Sequence, residues 1–190
     1  MKAQARVLGI DDAPFAFRDK ETEVVGVLVR APNYVEGVMT TRVAVDGTDA
    51  TSELASMVHL SRYREAISLI MIDGAALGGF NVVDILGLHE DVRIPVVTVT
   101  REEPDQAAIA RALRARFEDA EARLAVLRRQ GMTEVPTAHK SLWVSCAGIE
   151  PREASEAIRL CTVRGALPEP IRIAHIVATA IKRGESHGRA

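Results

Sequence analysis

Three apolar stretches separated by short links occupy the first 45 residues, and they restrict the fold more than any other feature of the sequence. Residues 6–11 (RVLGID), 23–30 (EVVGVLVR) and 35–45 (VEGVMTTRVAV) have the length and β-branched content of strands, and Pro32 with Asn33 is typical of a turn. Consecutive strands joined by short links pair antiparallel. The sequence therefore predicts an antiparallel meander of three strands.

The hydrophobic period changes after the meander. Apolar residues recur at helical spacing over residues 50–66, directly after Asp49, a residue type that favours helix starts. Strand and helix patterns then alternate. The further predicted strands are 68–73, 94–100 and 141–146, and the further predicted helices are 81–90 (capped by Asn81), 105–130, 151–161 and 169–183. This order predicts an α/β fold of the ribonuclease H-like kind, a mixed sheet with helices on both faces.

Composition excludes several classes of protein. The chain has 190 residues, of which 47% are hydrophobic, and this favours one globular domain. Its formal net charge is -2, so any contact with nucleic acid would need a local basic patch. Cys146 and Cys161 fit neither a disulfide framework nor a four-ligand zinc site. Without a signal peptide or a long apolar run, we expect a cytoplasmic protein with no membrane partner.

Acidic residues stand at three places that this fold brings together: after the first strand, at the start of the first helix and after the fourth strand. They are Asp11, Asp12, Asp46, Asp49, Glu53 and Asp73. Carboxylates that converge on one point repel each other and favour a hard divalent cation. Two such ions about 4 Å apart activate water and stabilise the leaving oxygen of a phosphodiester. The pattern indicates a metal-dependent nuclease.

Each of these acids also has a purely structural interpretation. Asp12 and Asp46 are typical of turns, since Asp bonds its own backbone two residues on. Asp49 is explained as a helix cap, and Glu53 by the favourable interaction of an acid with the first turn of a helix. The residues alone leave both interpretations open.

Other motifs carry less information. The loop at residues 74–79 (GAALGG) lacks the Lys-Ser/Thr of a P-loop. His139 and Lys140, just before the last predicted strand, are candidates for phosphate contacts. His175 stands among apolar residues and is typical of a partly buried structural histidine.

Several longer motifs resemble a known family. They are GIDD (9–12), VDGTDAT (45–51), IDGAALGGFNVVD (72–84), the strand start Ile94-Pro95, LPEPIRIAH (167–175) and GESHGRA (184–190). Together they resemble the archaeal endonuclease dU family, which is related to endonuclease V. The resemblance runs from end to end of the chain, so we expect a single endonuclease V-like domain over residues 1–190.

The resemblance implies a ribonuclease H-like fold, dependence on Mg²⁺ or Mn²⁺, and cleavage of DNA that contains deoxyuridine. It implies that Asp11 and Asp73 are the metal carboxylates of the first and fourth strands, and Asp12 then orients a metal or a water. For the middle carboxylate, Asp49 is favoured because it lies in the motif VDGTDAT, with Asp46 and Glu53 as alternatives.

The sequence also departs from endonuclease V. It lacks the Pro-Tyr-Ile-Pro wedge of that enzyme, and Gly78, Gly79, Phe80 and Asn81 stand where a His-Pro-Arg element would follow the Asp-Gly. We expect these four residues to contact a deaminated base, with Phe80 stacking on it and Asn81 bonding its edge. The alternative function is a non-catalytic module of the same fold that binds nucleic acid or protein.

Overall fold

The computed structural model describes residues 4–16 and 18–186. The strands are β1 (Arg6–Asp12), β2 (Glu21–Arg30), β3 (Tyr34–Ala44), β4 (Leu69–Asp73), β5 (Ala76–Leu77), β6 (Asn81–Val82), β7 (Val96–Thr100), β8 (Thr133–Val135) and β9 (Leu142–Ala147). The helices are α1 (Ala50–Leu60), α2 (Ile85–Val92), α3 (Gln106–Arg116), α4 (Ala120–Gln130), α5 (Pro151–Cys161) and α6 (Glu169–Arg183). The predicted bounds of α5 and α6 agree with these, and residues 64–66 form a short 3₁₀ turn after α1.

A seven-stranded sheet with the order β3-β2-β1-β4-β7-β9-β8 forms the centre of the protein. Strands β1, β2 and β3 pair antiparallel, as the meander predicts, whereas β1, β4 and β7 are parallel neighbours. Strand β9 returns antiparallel to β7. The mixed sheet confirms the predicted α/β class, while β8 was absent from the prediction because its three residues carry no periodic signal.

The two faces of the sheet are covered by different helices, because successive residues of a strand point to opposite sides. In β4, Ile70 and Ile72 pack in the cluster that includes α1 and α2. Leu69 and Met71 pack in the cluster that includes α5 and α6. This alternation confirms helices on both faces, and it decides which face any side chain at a strand end will occupy.

Helix α6 lies very close to β1 at one point. A Cβ atom at Gly9 would overlap the backbone of Pro170 and Ile171, so only glycine permits this approach. The start of α6 is thereby fixed on β1, and the next turns of the helix lie above the carboxyl ends of β1 and β4. Among the described residues, no helix has the length and hydropathy needed to cross a bilayer.

Residues 74–84 differ from the prediction. The predicted helix start at Asn81 is wrong, because Asn81 belongs to β6, which pairs with β5 in a small separate hairpin. Helix α2 begins later, at Ile85, and its cap is Asp84, whose Oδ1 accepts a hydrogen bond from the Gly87 amide at 3.2 Å. The segment after β4 is therefore a hairpin, which we call the glycine hairpin (residues 76–82).

The predicted helix over 105–130 is two helices. Phe117 ends α3 in an extended conformation, and its ring packs edge-to-face on Phe80 with 5.7 Å between the ring centroids. Asp119 precedes α4 and accepts a hydrogen bond from Arg123 at 2.9 Å. The contact of Phe117 with the distant Phe80 overrides a local pattern that favours continuous helix.

Candidate metal centre and adjoining cavity

Asp11 and Asp73 are brought together by the pairing of β1 with β4. The parallel register aligns Ile10 with Ile72, so the two aspartates that follow stand level on neighbouring strands. Neighbouring strands are about 4.8 Å apart, and the alternation along each strand turns both side chains to the face that α6 covers. The register therefore places two carboxylates side by side under α6.

His175 of α6 completes the group. Its Nδ1 lies 2.8 Å from Oδ2 of Asp11, which joins residues far apart in the sequence. Asp11, Asp73 and His175 each offer one ligand atom, and these atoms all lie within 4.8 Å of one another. We call these three residues the Asp-His group.

Asp12 points to the opposite face from Asp11, since it is the next residue of the strand. Its Oδ2 accepts a hydrogen bond from the Gly78 amide at 2.7 Å. Its own amide donates to Oδ1 of Asp11 at 2.8 Å. Asp12 therefore connects the Asp-His group to the glycine hairpin.

The carboxyl groups of this region are electrostatically strained. Burial raises the pKa of Asp11 to about 8, and the nearby negative charges of Asp73 and Asp12 add to the effect. Burial also raises the pKa of Asp73, against the opposing positive charges of Arg101 and His175. For Asp12 burial again raises the pKa, and the hydrogen bond from Gly78 opposes it. Adjacent buried carboxyls of this kind are stabilised by a cation.

The Asp-His group has the donor set and spacing for one divalent ion. Oxygen ligands lie about 2.0–2.6 Å from Mg²⁺ or Ca²⁺, so two ligands of one ion are at most about 5 Å apart. The 4.8 Å limit within the group meets that condition. Carboxylate oxygens suit hard cations, and an imidazole nitrogen also accommodates transition metals.

The acidic residues near α1 accept hydrogen bonds from other parts of the chain. Both carboxylate oxygens of Asp49 accept from the Ala44 amide, at 3.1 and 3.2 Å, and Oδ1 also accepts from Asn81 at 2.6 Å. Asp46 accepts from the Phe80 amide at 2.9 Å, and Glu53 accepts from Thr41 at 3.2 Å.

Asp49, favoured as the middle carboxylate, is not part of the Asp-His group in the described portion of the chain. Asp49 binds the end of β3 through the Ala44 amide, and in the sheet β2 lies between β3 and β1. Asp49 does precede α1, as predicted, but its side chain makes no capping hydrogen bond there.

The glycine hairpin turns tightly at its two glycines, and a side chain of α4 anchors it. Gly78 and Gly79 have φ of 56° and 88°, values that L side chains rarely adopt. Gly78 is buried and Gly79 exposed, and Phe80 is half-buried. Arg123, itself buried, donates to the carbonyl oxygen of Phe80 at 2.7 Å and so ties the turn to α4.

Asn81 is not placed to read a base. Its side chain is fully buried, it donates to Ala44 and Asp49, and it accepts from the Ala50 amide at 3.0 Å. The expectation that it bonds a base edge is corrected accordingly, because its hydrogen-bonding groups hold β3, α1 and the hairpin together.

A largely apolar cavity of about 730 Å³ lies near the carboxyl end of β4, and its lining does not include Asp11, Asp73 or His175. It extends between the glycine hairpin, the ends of β4 and β7, and the helices α3 and α4. Its lining includes Gly74, Phe80, Thr100, Ile109, Leu124 and Leu127. Gly74 directly follows Asp73, so the cavity and the Asp-His group share one edge of the sheet.

His139 and Lys140 lie on the loop between β8 and β9 and are exposed. Because Thr100 at the end of β7 pairs with Trp143 near the start of β9, this loop projects from the same edge as Asp73. Thr137 orders the loop: its hydroxyl accepts from the amides of His139 and Lys140, both at 3.2 Å.

The role of His175 was missed by the sequence reasoning. A signal was present, since His175 stands four residues after Ile171 and three before Ala178, on the apolar face of α6. A titratable side chain on a buried helix face needs a partner, and only the packing of α6 on β1 shows that the partner is Asp11. His187, in the GESHGRA motif, lies outside the described residues.

Solved structures show what kind of fold this is. Endonuclease V of Ciona intestinalis, solved with DNA containing an inosine followed by a ribo-adenosine, matches with a TM-score of 0.57 and 15% identity, over 90% of this chain and 82% of its own. At that identity the likeness concerns the fold alone. The protein therefore has an endonuclease V-like fold.

More similar proteins identify the family. A protein of unknown function from Archaeoglobus fulgidus has a crystal structure with a TM-score of 0.84 and 38% identity, covering 97% of this chain and 99% of its own. A UPF0215 protein of Methanothermobacter thermautotrophicus is 44% identical over 191 residues, 100% of this chain and 94% of that protein. The endonuclease dU family model matches residues 3–182, and the chain belongs to that family, which confirms the resemblance of its motifs.

Proposed function

We propose that this protein is a metal-dependent endonuclease that cleaves a phosphodiester in DNA carrying a deaminated base, with uracil as the first candidate. One observation carries the proposal: a buried carboxylate, a half-buried carboxylate and a histidine, from β1, β4 and α6, place their ligand atoms within 4.8 Å of one another. Membership of the endonuclease dU family supports the same function.

In this proposal Asp11, Asp73 and His175 hold Mg²⁺ or Mn²⁺. When bound, the divalent ion supplies Lewis acidity and charge neutralisation for phosphodiester cleavage. His175 keeps the Asp11 carboxylate oriented through the 2.8 Å contact with Oδ2, and the Asp12 amide fixes the other oxygen. Asp12 acts as a positioning residue, because its carboxylate is bound to the glycine hairpin.

The cavity near the carboxyl end of β4 is the proposed receptor for the base. An enzyme that acts at a damaged nucleotide gains access by turning the base out of the stack into a pocket. Phe80 lines the cavity and offers a ring for stacking, and the exposed Gly79 allows the DNA backbone to come close. The endonuclease V neighbour that was solved with inosine-containing DNA supports a DNA substrate.

His139 and Lys140 are proposed to contact a phosphate away from the cleaved bond. Their loop extends past the end of β7, at the edge where Asp73 lies. With a net charge of -2 on the whole chain, DNA binding depends on local cations of this kind.

The geometry argues against the alternative of a non-catalytic module of the same fold. That alternative expects the acids to be capping residues with carboxyl groups in different regions. It fits Asp46 and Asp49, whose oxygens accept hydrogen bonds from the chain. It does not explain why the buried Asp11 and the half-buried Asp73 stand side by side on neighbouring strands.

The test uses three duplexes that are identical except at one position, which carries uracil, hypoxanthine or thymine. Each is incubated with the protein in Mg²⁺, in Mn²⁺ and in a chelator, and strand cleavage is followed on a denaturing gel. We expect the uracil duplex to be cleaved in Mg²⁺ or Mn²⁺ and to stay intact in the chelator. Cleavage that is equal with and without the chelator, or none of any duplex, would contradict the proposal.

A further inference from the structure

Arg101 lies beside the Asp-His group, and the proposed function gives it no role. It stands two residues after Val99, which pairs with Asp73, so it leaves β7 on the same face as the two aspartates. Its Nη2 lies 3.6 Å from Oδ2 of Asp73. The Arg101 side chain is 36% exposed, against 19% for Asp73, so Arg101 is the more exposed partner of the pair.

Arg101 and Asp73 form an ion pair with 3.6 Å between Nη2 and Oδ2. The shortest charge-assisted hydrogen bonds are about 2.7–2.9 Å long, so this ion pair is longer than those. The guanidinium lowers the pKa of Asp73, in opposition to burial, so it partly neutralises the charge for which a metal ion would compete. An ion bound to Asp73 at about 2.0–2.6 Å would stand close to the guanidinium and repel it.

We propose that Arg101 is the counter-cation of Asp73 in the metal-free protein, that a divalent ion displaces it, and that the displaced guanidinium then binds a phosphate of the nucleic acid. The inference rests on the proposed function for its phosphate step only. Arg101 is a positioning residue here: it keeps the metal-free carboxylates compatible with the fold, and it moves to solvent on the side from which a substrate arrives.

The chemistry of the Arg101 guanidinium suits the phosphate contact that we propose for it after displacement. Its planar fork binds two oxygens of a phosphate at once, and it stays charged at every working pH. Contacts to phosphate carry no base information, so Arg101 would strengthen binding to DNA with and without a lesion.

The first test is Mn²⁺ binding without DNA, measured by titration calorimetry on the full chain. Arg101→Ala and Arg101→Gln remove the competing charge, so we expect Mn²⁺ to bind about threefold to tenfold more tightly than in the wild type, as for one partly screened charge. Arg101→Lys keeps a cation and should stay within about twofold of the wild type. Mn²⁺ affinity that is unchanged or weaker in both Arg101→Ala and Arg101→Gln would contradict the proposed displacement of Arg101 by the metal ion.

A matched control separates this effect from a change in net charge. Arg152 is the second residue of α5, and its side chain is 90% exposed. The preceding strand β9 ends at Ala147, which pairs with Val96 at the far end of β7 from Asp73. Arg152→Ala should leave Mn²⁺ affinity unchanged. If it tightens Mn²⁺ binding as much as Arg101→Ala does, the effect is a general one and the proposal fails.

The second test is DNA binding in Ca²⁺, which takes the same oxygen ligands as Mg²⁺. In fluorescence anisotropy, Arg101→Ala should bind uracil-containing and lesion-free duplexes about tenfold more weakly, with equal losses for both. Unchanged DNA affinity would overturn the phosphate step. A wild type that binds Mn²⁺ and no DNA would contradict the proposed function itself, and the Mn²⁺ comparison is decided independently of that result.

Discussion

Two pairs of aspartates at the same end of the sheet differ in what their oxygen atoms contact. Asp46 and Asp49 accept hydrogen bonds from backbone amides and from the side chains of Arg116 and Asn81. Asp11, which is buried, and Asp73, which is half-buried, stand side by side, and burial raises the pKa of both. The first pair has its charge satisfied by the chain, and the second has a charge that the chain leaves partly unbalanced.

This contrast separates a structural acid from a candidate functional one. In sequence, all four residues follow or lie near the end of a strand, and turn or cap chemistry explains each of them. What differs is the partner that the fold provides. Several donors converge on Asp46 and Asp49. Asp11 and Asp73 lie beside each other, with the Asp12 amide and His175 at Asp11 and Arg101 3.6 Å from Asp73. The comparison predicts opposite consequences for substitutions in the two pairs.

The largest expected effect is that of Asp73→Asn on cleavage. Losing a carboxylate ligand should reduce the cleavage rate at least about 10³-fold, since charge stabilisation by the ion is lost. The free energy of unfolding should stay the same or rise, because one of two adjacent buried charges is removed. Single-turnover cleavage and urea unfolding measure the two quantities. Undiminished cleavage would break the assignment of this pair.

Gly9→Ala tests whether the packing of α6 creates the Asp-His group. The added methyl group would meet the backbone of Pro170, so α6 must shift, at a cost of about 3 kcal/mol in the free energy of unfolding. Because His175 moves with the helix, Mn²⁺ affinity should fall as well.

Gly26→Ala is the matched control for Gly9→Ala. Its methyl group would meet only flexible side chains, those of Met39, Leu8 and Met57, and Mn²⁺ affinity should be retained. Equal losses of Mn²⁺ affinity in the two variants would show that α6 has no special role.

Asp49→Asn should have the opposite effects to Asp73→Asn: it should lower the free energy of unfolding and leave the cleavage rate almost unchanged. An asparagine amide would face the donors of Ala44 and Asn81, which lowers the free energy of unfolding by about 2 kcal/mol. Cleavage under conditions where the protein is folded should stay within about threefold of the wild type. Thermal or urea unfolding, followed by cleavage at low temperature, checks both. A loss of cleavage comparable to that of Asp73→Asn would restore Asp49 as the middle carboxylate.

A further expected effect is a gradual dependence of stability on pH. The pKa of Asp11 is raised by burial to about 8 in the folded protein, above its ordinary value of 3.8. A raised folded pKa stabilises the protein below pH 3.8, and this stabilisation is lost as the pH rises toward 8, at no more than about 1.4 kcal/mol per pH unit for one proton.

Asp11→Asn should weaken this dependence in the metal-free protein and leave only the part due to the raised pKa of Asp12 and of Asp73. Urea unfolding at several pH values in a chelator measures it. A variant whose stability falls with pH as steeply as that of the wild type would contradict the raised pKa.

The sequence predicts the elements with strong local signals. The apolar runs of the meander and the amphipathic periods of α5 and α6 were read correctly, because the period of the side chains is a local property. The glycine hairpin and the break between α3 and α4 were not, since both depend on contacts between distant residues. The Phe80–Phe117 contact and the hold of Arg123 on Phe80 are examples.

The candidate site could be predicted only in part, because some of its residues are brought together by contacts between distant segments. Asp11 and Asp73 were identified because they end two strands that the fold makes neighbours. Whether the third partner comes from α1 or α6 is decided by helix packing, and Gly9 permits the approach that brings His175 to Asp11. Asp49 and Asn81 were assigned to function because their hydrogen bonds with each other cannot be read from spacing.

The most direct test of the Asp-His group is anomalous diffraction from crystals of the wild type grown with Mn²⁺. We expect a Mn²⁺ peak about 2.0–2.6 Å from carboxylate oxygens of both Asp11 and Asp73, with His175 beside it. The position of Asp49 serves as an internal comparison in the same map. A peak at Asp46 and Asp49, with none between Asp11 and Asp73, would contradict the account.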